Sequence, residues 1–419
     1  MVIKKIQRQL SNKFIRNIGW LGGAELFNRV FRLATTVTIA RVFTTYEYGL
    51  MAVVYTTFDF AVLFSQSSGF TAKIIQADDQ EVQTVSDTSF WLNCFVCLAL
   101  FLLQCLAAFP IAEFYVHDSQ VILPLCFTAL IYLAFPFFVV TNALIERENR
   151  LEVKALGQTI QAFTSNVMIV IFALMGMGVW AIALPIVLTT PIWIVVTWRN
   201  HSWRPPRKLK LEKWQEIANF GLNLIGVELL NKLRSYIDYI LVGQFLGIDA
   251  LGIYYFAFNA GFGISLNIIN SIKAALLPYL SEVRTNLTQL KQRYLSSFKK
   301  VAFVIVPFVL LQSSLAPFYV PIVFGKQWQE VGAVPILVLV CLSAIPFSVA
   351  IFTDNLLISV GKPRLTLYCN LIYTCTFTLF LLVAVQKGIF WVALAVLLCQ
   401  LIISPIYAAW SLKYVFTRK

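Results

Sequence analysis

The sequence is poor in charged residues. Of its 419 residues, 13% are Asp, Glu, Lys or Arg, against roughly 25% in an average soluble domain, whereas 59% are hydrophobic. So little polar material does not cover a water-facing surface, and a soluble globular protein is excluded. The mean hydropathy of +0.77 and the repeated apolar runs of about 20 residues indicate a polytopic membrane protein.

The sequence also lacks the residue clusters that carry most enzyme chemistry. Its two histidines, His117 and His201, fall in different loops, which excludes an imidazole cluster for a metal or for acid–base work. All eight cysteines lie in apolar runs, and the Cys94–Cys97 pair is interpreted as packing rather than as a redox or zinc site. No G-x-x-x-x-G-K-[ST] motif occurs. We therefore expect no catalytic residue, no metal and no other cofactor.

Apolar runs bounded by charged or turn-forming residues predict twelve transmembrane helices. Glycine and proline are scattered through these runs, which is typical of membrane helices and not of alternating barrel strands. The predicted spans are about 17–40, 49–71, 88–109, 121–144, 155–176, 179–198, 216–243, 251–275, 301–320, 332–358, 365–385 and 389–411.

The net charge of +13 is explained by membrane orientation and not by a nucleic-acid partner. If both termini are cytoplasmic, 26 of the 33 Lys and Arg residues lie inside and three, Arg41, Lys326 and Lys387, lie outside. The basic, amphipathic segment 1–16 is expected to lie on the inner leaflet. Because the first apolar run carries charges and no cleavage site, it is predicted to be a retained helix and not a signal peptide.

An internal repeat divides the chain. The octapeptide 23–30, GAELFNRV, matches 226–233, GVELLNKL, at an offset of 203 residues. The repeat predicts two pseudo-symmetric six-helix lobes, 1–198 and 216–419, joined by the cytoplasmic linker 199–215. Since six is even, the lobes are parallel copies about an axis along the membrane normal, with a central cavity between them.

Several charges fall within the predicted spans, where they need partners or water. Buried cations in a polar cavity between the lobes would bind an anionic group, and the cations predicted to bind substrate are Arg29, Arg32, Lys232, Arg234, Lys73 and Lys273. Carboxylates would bind a coupling ion, and the candidates are Glu25, Asp59, Glu228 and Asp238. Two alternatives stay open: Arg234 with Asp238 is also the spacing of a structural i, i+4 pair, and Lys73 and Lys273 also suit positive-inside anchors.

Four segments together resemble a known family. They are 238–254 (DYILVGQFLGIDALGIY), 277–281 (LPYLS), 324–328 (FGKQW) and 145–151 (IERENRL). Their order and spacing are similar to those of the polysaccharide export and flippase family. That family includes the Wzx-type O-antigen and exopolysaccharide flippases of the multidrug/oligosaccharidyl-lipid/polysaccharide superfamily.

The resemblance implies a multi-pass protein of the bacterial inner membrane that moves undecaprenyl-diphosphate-linked oligosaccharide to the periplasmic leaflet by alternating access. It implies as candidate partners the lipid-linked oligosaccharide, membrane lipids, a proton or sodium ion, and a polysaccharide polymerase with its export machinery. One alternative is a cation-coupled multidrug antiporter of the same superfamily, whose lumen should be dominated by acidic and aromatic groups. A second is a membrane glycosyltransferase or polymerase, which should have longer outer loops.

Overall fold

The computed structural model describes residues 28–29, 31–66, 69–115 and 119–417, and within these ranges all regular secondary structure is helical. The prediction of an all-α membrane protein is confirmed. Helices satisfy their backbone hydrogen bonds internally, which a lipid solvent without water requires. The predicted amphipathic segment 1–16, most of the first predicted span, and His117 lie outside the described residues.

The helices are separated mostly by short turns. The first nine are α1 (31–42), α2 (Thr45–Gln66), α3 (Gly69–Gln76), α4 (Val82–Tyr115), α5 (Ile122–Ala134), α6 (Pro136–Arg147), α7 (Leu151–Leu174), α8 (Trp180–Leu188) and α9 (Pro191–Asn200). The other nine are α10 (Trp214–Leu246), α11 (Ile248–Ala260), α12 (Phe262–Ser281), α13 (Leu287–Tyr319), α14 (Gln327–Glu330), α15 (Ala333–Leu342), α16 (Ala344–Ser359), α17 (Pro363–Val385) and α18 (Ile389–Thr417).

The described helices supply nine spans that are long and apolar enough to cross a membrane, and a tenth if α5 and α6 count as one bent span. These ten correspond to ten of the twelve predicted spans. The first prediction, 17–40, lies largely outside the described residues. The seventh, 216–243, is the helix α10, which carries five acidic or basic residues and is not in the apolar set. The count of twelve is therefore not confirmed.

The sequence explains both the break and the lipid-facing surface. α5 and α6 meet at 50°, with Pro136 as the first residue of α6. Proline has no N–H to donate, so the chain begins a new helix there. On α4, the most apolar window is 17% buried, and Leu103, Leu106 and Phe109 are at least 61% exposed. Hydrocarbon solvates such a surface, whereas water does not.

The chain separates into two compact units, here called unit 1 (to Ser235) and unit 2 (from Tyr236). Unit 1 has an aromatic core in which Tyr132, Phe135 and Phe138 are at most 5% exposed. In unit 2 the ring of Phe256 stacks on Trp328 with centroids 3.9 Å apart. This division rests on packing and not on the repeat, so the lobes 1–198 and 216–419 stay a prediction.

Helix boundaries follow the offset of the repeat at one junction. α2 begins at Thr45 and α11 at Ile248, which stand 203 positions apart. Gly49 and Gly252 occupy the same place in these two helices, and both are buried. Because most of the octapeptide 23–30 lies outside the described residues, its superposition on 226–233 stays a prediction.

Residues 201–213, the central part of the predicted linker 199–215, lie along the start of α4 and are here called the strap. The buried carboxylate of Asp87, 2% exposed, is its anchor. It accepts hydrogen bonds from Trp203 Nε1 at 3.3 Å, from Lys210 Nζ at 2.8 Å and from Gln83 Nε2 at 2.9 Å. A buried carboxylate needs such partners, so the strap and the fold of α4 depend on each other.

Further polar contacts hold the strap in place. Trp91 Nε1 donates to the carbonyl of Lys208 at 2.9 Å, and Thr88 Oγ1 donates to the carbonyl of Glu212 at 2.9 Å. The hydrogen bond to Asp87 raises the pKa of Lys210 above the usual lysine value. Lys210 therefore stays charged at neutral pH, and the strap is held under physiological conditions.

Candidate functional site

Two of the predicted site residues form an ion pair within unit 1. Lys232 Nζ on α10 lies 2.6 Å from Asp59 Oδ2 on α2. Their side chains are 31% and 39% exposed, so the pair is not sealed in the core and a ligand can reach it. The sequence assigned anion binding to Lys232 and ion coupling to Asp59, and the structure joins the two groups.

Arg32 lies in the first turn of α1 and is exposed, and Arg29 lies shortly before this helix and is half-buried. Arg32 stands ten residues before the end of α1, which is about 15 Å at the helical rise of about 1.5 Å per residue. That distance is about half of a hydrocarbon core roughly 30 Å thick. The guanidinium of Arg32 makes no hydrogen bond or ion pair with another residue in the described ranges.

Lys73 lies at the end of α3 and pairs with Glu216 in the first turn of α10. The pair is at the predicted cytoplasmic ends of both helices, and Glu216 is more than half exposed. This position suits the anchor interpretation of Lys73 at least as well as a substrate-binding one.

The other predicted residues are more scattered. Glu228 is exposed and Arg234 half-buried on α10, and Lys273 is exposed on α12. Glu25 lies outside the described residues. The roles assigned to these four from sequence stay predictions.

Asp238 is buried in an aromatic surrounding in unit 2, with 5% of its surface exposed. Its carboxylate accepts a hydrogen bond from Tyr254 Oη at 2.8 Å and another from the backbone N–H of Tyr239 at 3.0 Å. The ring of Tyr239 packs edge-on against Tyr254 and Phe258. From the sequence, Asp238 was paired with Arg234, four positions earlier on α10. Tyr254, which lies on α11, was not among the predicted site residues.

Unit 1 also contains a cavity of about 530 Å³ that sequence reasoning missed. Its polar lining residues are Thr71, Asn142, Glu146, Lys154, Gln158, Gln161 and Thr190, and its aromatic ones are Phe58, Phe135, Phe138 and Trp193. One signal was available in the sequence. Lys154, Gln158 and Gln161 recur at i, i+4 and i+7, which places three polar side chains on one face of a predicted membrane helix.

The sequence profile of a family described as polysaccharide biosynthesis protein matches residues 38–333, which is more than half of the chain. The chain belongs to this family. Among its relatives, the teichuronic acid biosynthesis protein TuaB of Bacillus subtilis (strain 168) is 25% identical over 349 residues, covering 83% of this chain and 71% of TuaB. The family predicted from the four motif segments is confirmed.

Solved structures share the fold of this family member. The lipid II flippase MurJ, in an inward closed conformation, matches with a TM-score of 0.78 at 14% identity, over 95% of this chain and 89% of MurJ. An inward-facing multidrug resistance MATE transporter of the MOP superfamily matches with a TM-score of 0.76 at 13% identity, over 93% and 95%. The fold is therefore that of MOP-superfamily transporters, and it is common to a lipid flippase and a drug transporter.

Proposed function

We propose that this protein is a flippase. It moves a polyprenyl-diphosphate-linked oligosaccharide, a polysaccharide repeat unit, from the cytoplasmic to the periplasmic leaflet of the bacterial inner membrane by alternating access. Membership of the polysaccharide biosynthesis family supports the saccharide, and the fold shared with MurJ supports a lipid-linked one. The substrate crosses without a bond being made or broken, so the protein acts as a transporter and not as an enzyme.

The observation that carries the proposal is Arg32. An arginine in the middle of a membrane helix costs roughly 2.5–3.5 kcal/mol on insertion scales, so it calls for an anionic partner or water. Arg32 is exposed and has no partner among the described residues. A diphosphate supplies oxygens that the planar guanidinium binds two at a time. An antiporter for cationic drugs has no use for this charge.

The ion pair of Lys232 and Asp59 supports coupling of transport to a cation. A diphosphate that binds Lys232 competes with Asp59 for the same ammonium group. Asp59 then loses this cation as a partner, which favours its binding of a proton or sodium ion. Substrate and coupling ion would in this way bind together.

Further parts of the proposal rest on the distribution of charge. The 26 to 3 split of Lys and Arg supports cytoplasmic termini, and the lipid tail would stay in the bilayer during transport. A polysaccharide polymerase and its export machinery would take over the repeat unit at the periplasmic face.

Deletion of the gene in its native host, followed by lipid extraction, tests the function. We expect lipid-linked oligosaccharide to accumulate in the cytoplasmic leaflet and surface polysaccharide to disappear, and the wild-type gene to restore it. Arg32→Ala should not restore export, whereas Arg32→Lys should restore part of it because a point charge loses the two-oxygen contact.

Lys326→Ala is the matched control, because it removes one exposed positive charge from a predicted outer loop. Lys326→Ala should restore export fully, and all three variants should reach wild-type levels in the membrane. An unchanged lipid-linked pool together with altered drug sensitivity would overturn the flippase in favour of the antiporter. If the Arg32→Ala variant restores full export, Arg32 does not bind the diphosphate.

A further inference from the structure

The cavity of unit 1 is lined by amide groups that have no hydrogen-bond partner in the described part of the chain. Asn142 on α6 and Gln158 on α7 line it, and neither side chain hydrogen-bonds to another residue that the structure describes. Gln161 accepts a hydrogen bond from Trp193 Nε1 and keeps its own NH₂ group for a ligand. Asn142 is half-buried and Gln158 is exposed, so both amides are accessible from the cavity and can both donate to and accept from a polar ligand.

An indole ring is held rigidly in the same lining. The Nε1 of Trp193 donates to Gln161, and its ring stacks on Phe138 with centroids 6.0 Å apart and planes 17° apart. Its edge lies directly over Gly157, where an added Cβ would stand 2.9 Å from Cζ3. Only glycine at position 157 leaves room for the ring, so the position of the indole depends on α7 as well as on α6.

The charges of the lining cancel. Glu146 and Lys154 are its two charged residues, and their side chains pair at 3.0 Å. A neutral cavity does not suit a diphosphate, in contrast to Arg32. It suits a neutral, hydroxyl-rich molecule, because amides both donate to and accept from hydroxyl groups, while the apolar C–H face of a sugar ring packs on an aromatic face. The volume of about 530 Å³ falls within the roughly 300–1,000 Å³ of small-molecule sites.

The cavity adjoins the ion pair along α2. Phe58 lines the cavity, and the next residue, Asp59, pairs with Lys232. Successive residues of an α-helix point about 100° apart, so α2 presents its cavity side and its ionic side next to each other. A ligand with an anionic group and an attached sugar could occupy both.

We infer that this cavity binds a sugar residue of the lipid-linked oligosaccharide, the part of the substrate that follows the diphosphate. The inference rests on the proposed function and deepens it by assigning the two parts of the substrate to two sets of residues. Trp193 supplies the stacking face, and Asn142, Gln158 and Gln161 supply hydrogen bonds to hydroxyl groups.

Binding of two lipids to the purified full-length protein in lipid nanodiscs tests this assignment. One lipid is the undecaprenyl-diphosphate oligosaccharide extracted from the native host, and the other is undecaprenyl diphosphate without sugar. Asn142→Leu and Gln158→Met remove an amide at similar side-chain size. Because these amides have no hydrogen-bond partner among the described residues, their loss leaves no described group unpaired, and the variants should fold.

We expect each amide variant to weaken binding of the oligosaccharide lipid by about three- to tenfold, the worth of one neutral hydrogen bond, and to leave binding of the sugar-free lipid unchanged. Gly157→Ala should displace the indole and give the same selective loss. Asn166→Leu and Gly263→Ala are the matched controls: Asn166 bonds to Ala162 on the same helix, and a Cβ at Gly263 meets nothing closer than 3.5 Å.

The two failures are distinguishable. If the wild-type protein binds neither lipid, both the proposed flippase function and the inferred sugar site are overturned. If it binds both lipids and the cavity variants weaken both equally or neither, the flippase stands and the sugar site is overturned. Selective loss in Asn166→Leu or Gly263→Ala would also overturn it, because the effect would not belong to the cavity.

Discussion

At the scale of single residues, the ion pair of Lys232 and Asp59 joins α10 to α2 through two side chains that are each about one-third exposed. Both were identified as membrane-embedded charges, because a charged residue within an apolar run is conspicuous. They are 173 positions apart, and nothing in a single sequence tells which carboxylate faces which cation. Asn142 and Gln158 were missed for a related reason. The spacing of Gln158 with Lys154 and Gln161 marks a polar helix face, but only the fold shows that this face and Asn142 line one cavity.

Replacing one member of the pair at a time separates structure from binding. Lys232→Met and Asp59→Asn should each lower the stability of the protein by about 1–2 kcal/mol, less than the roughly 3–5 kcal/mol of a fully buried pair, because both groups are about one-third exposed. Thermal unfolding of the purified protein in detergent measures this loss.

The double variant Asp59→Asn with Lys232→Met should recover most of the stability, because neither charge is left alone. Transport should stay absent in it, since the diphosphate has lost a cation. If the double variant transports substrate as well as the wild type, Lys232 is merely a counter-ion of Asp59.

At the scale of elements, hydropathy predicts well that a membrane helix exists. It predicts less well where a helix bends and which segments pack against it. Ten predicted spans have counterparts among the described helices, because a hydrocarbon core demands about 20 apolar residues whatever the neighbours are. The bend between α5 and α6 and the contacts of the strap were not predicted. Proline is common in membrane helices, and a Pro- and Arg-rich segment has the composition of a free linker.

Asp87→Asn should release the strap. The neutral amide loses the ionic part of its bond to Lys210, so residues 201–213 should leave α4 more often. Limited trypsin digestion of the detergent-solubilised protein measures the release as faster cleavage at Arg207 and Lys208. Asp78→Asn, a change at an exposed residue next to the same helix, should cleave at the wild-type rate. Equal rates in all three proteins would show that the carboxylate of Asp87 does not hold the strap.

For the whole molecule, the distribution of Lys and Arg predicts which side of the membrane holds the termini. The packing of the helices does not contain this information. Helices pack equally well in either direction across a bilayer, whereas Lys and Arg are retained on the cytoplasmic side. The two lobes likewise rest on the repeat in the sequence, and the match at Thr45 and Ile248 supports the repeat at one junction.

Cysteine labelling in a cysteine-free background tests the orientation. Ser202→Cys, in the strap, should react with a membrane-impermeant maleimide only after the cells are permeabilised. Gln386→Cys, an exposed residue between α17 and α18, should react in intact cells. The reverse pattern would place the termini outside and contradict the proposed direction of transport.

The contact between Gly157 and Trp193 also limits how the sequence can drift over evolutionary time. Any side chain at position 157 would displace the indole ring of Trp193. A residue smaller than tryptophan at position 193 would leave a cavity beside Gly157. The two positions are therefore coupled: a lineage that keeps the aromatic ring must keep the glycine, and one that gives up the ring is free to fill position 157. The residues at positions 157 and 193, 36 positions apart, therefore indicate together whether a homologous protein still uses the indole ring.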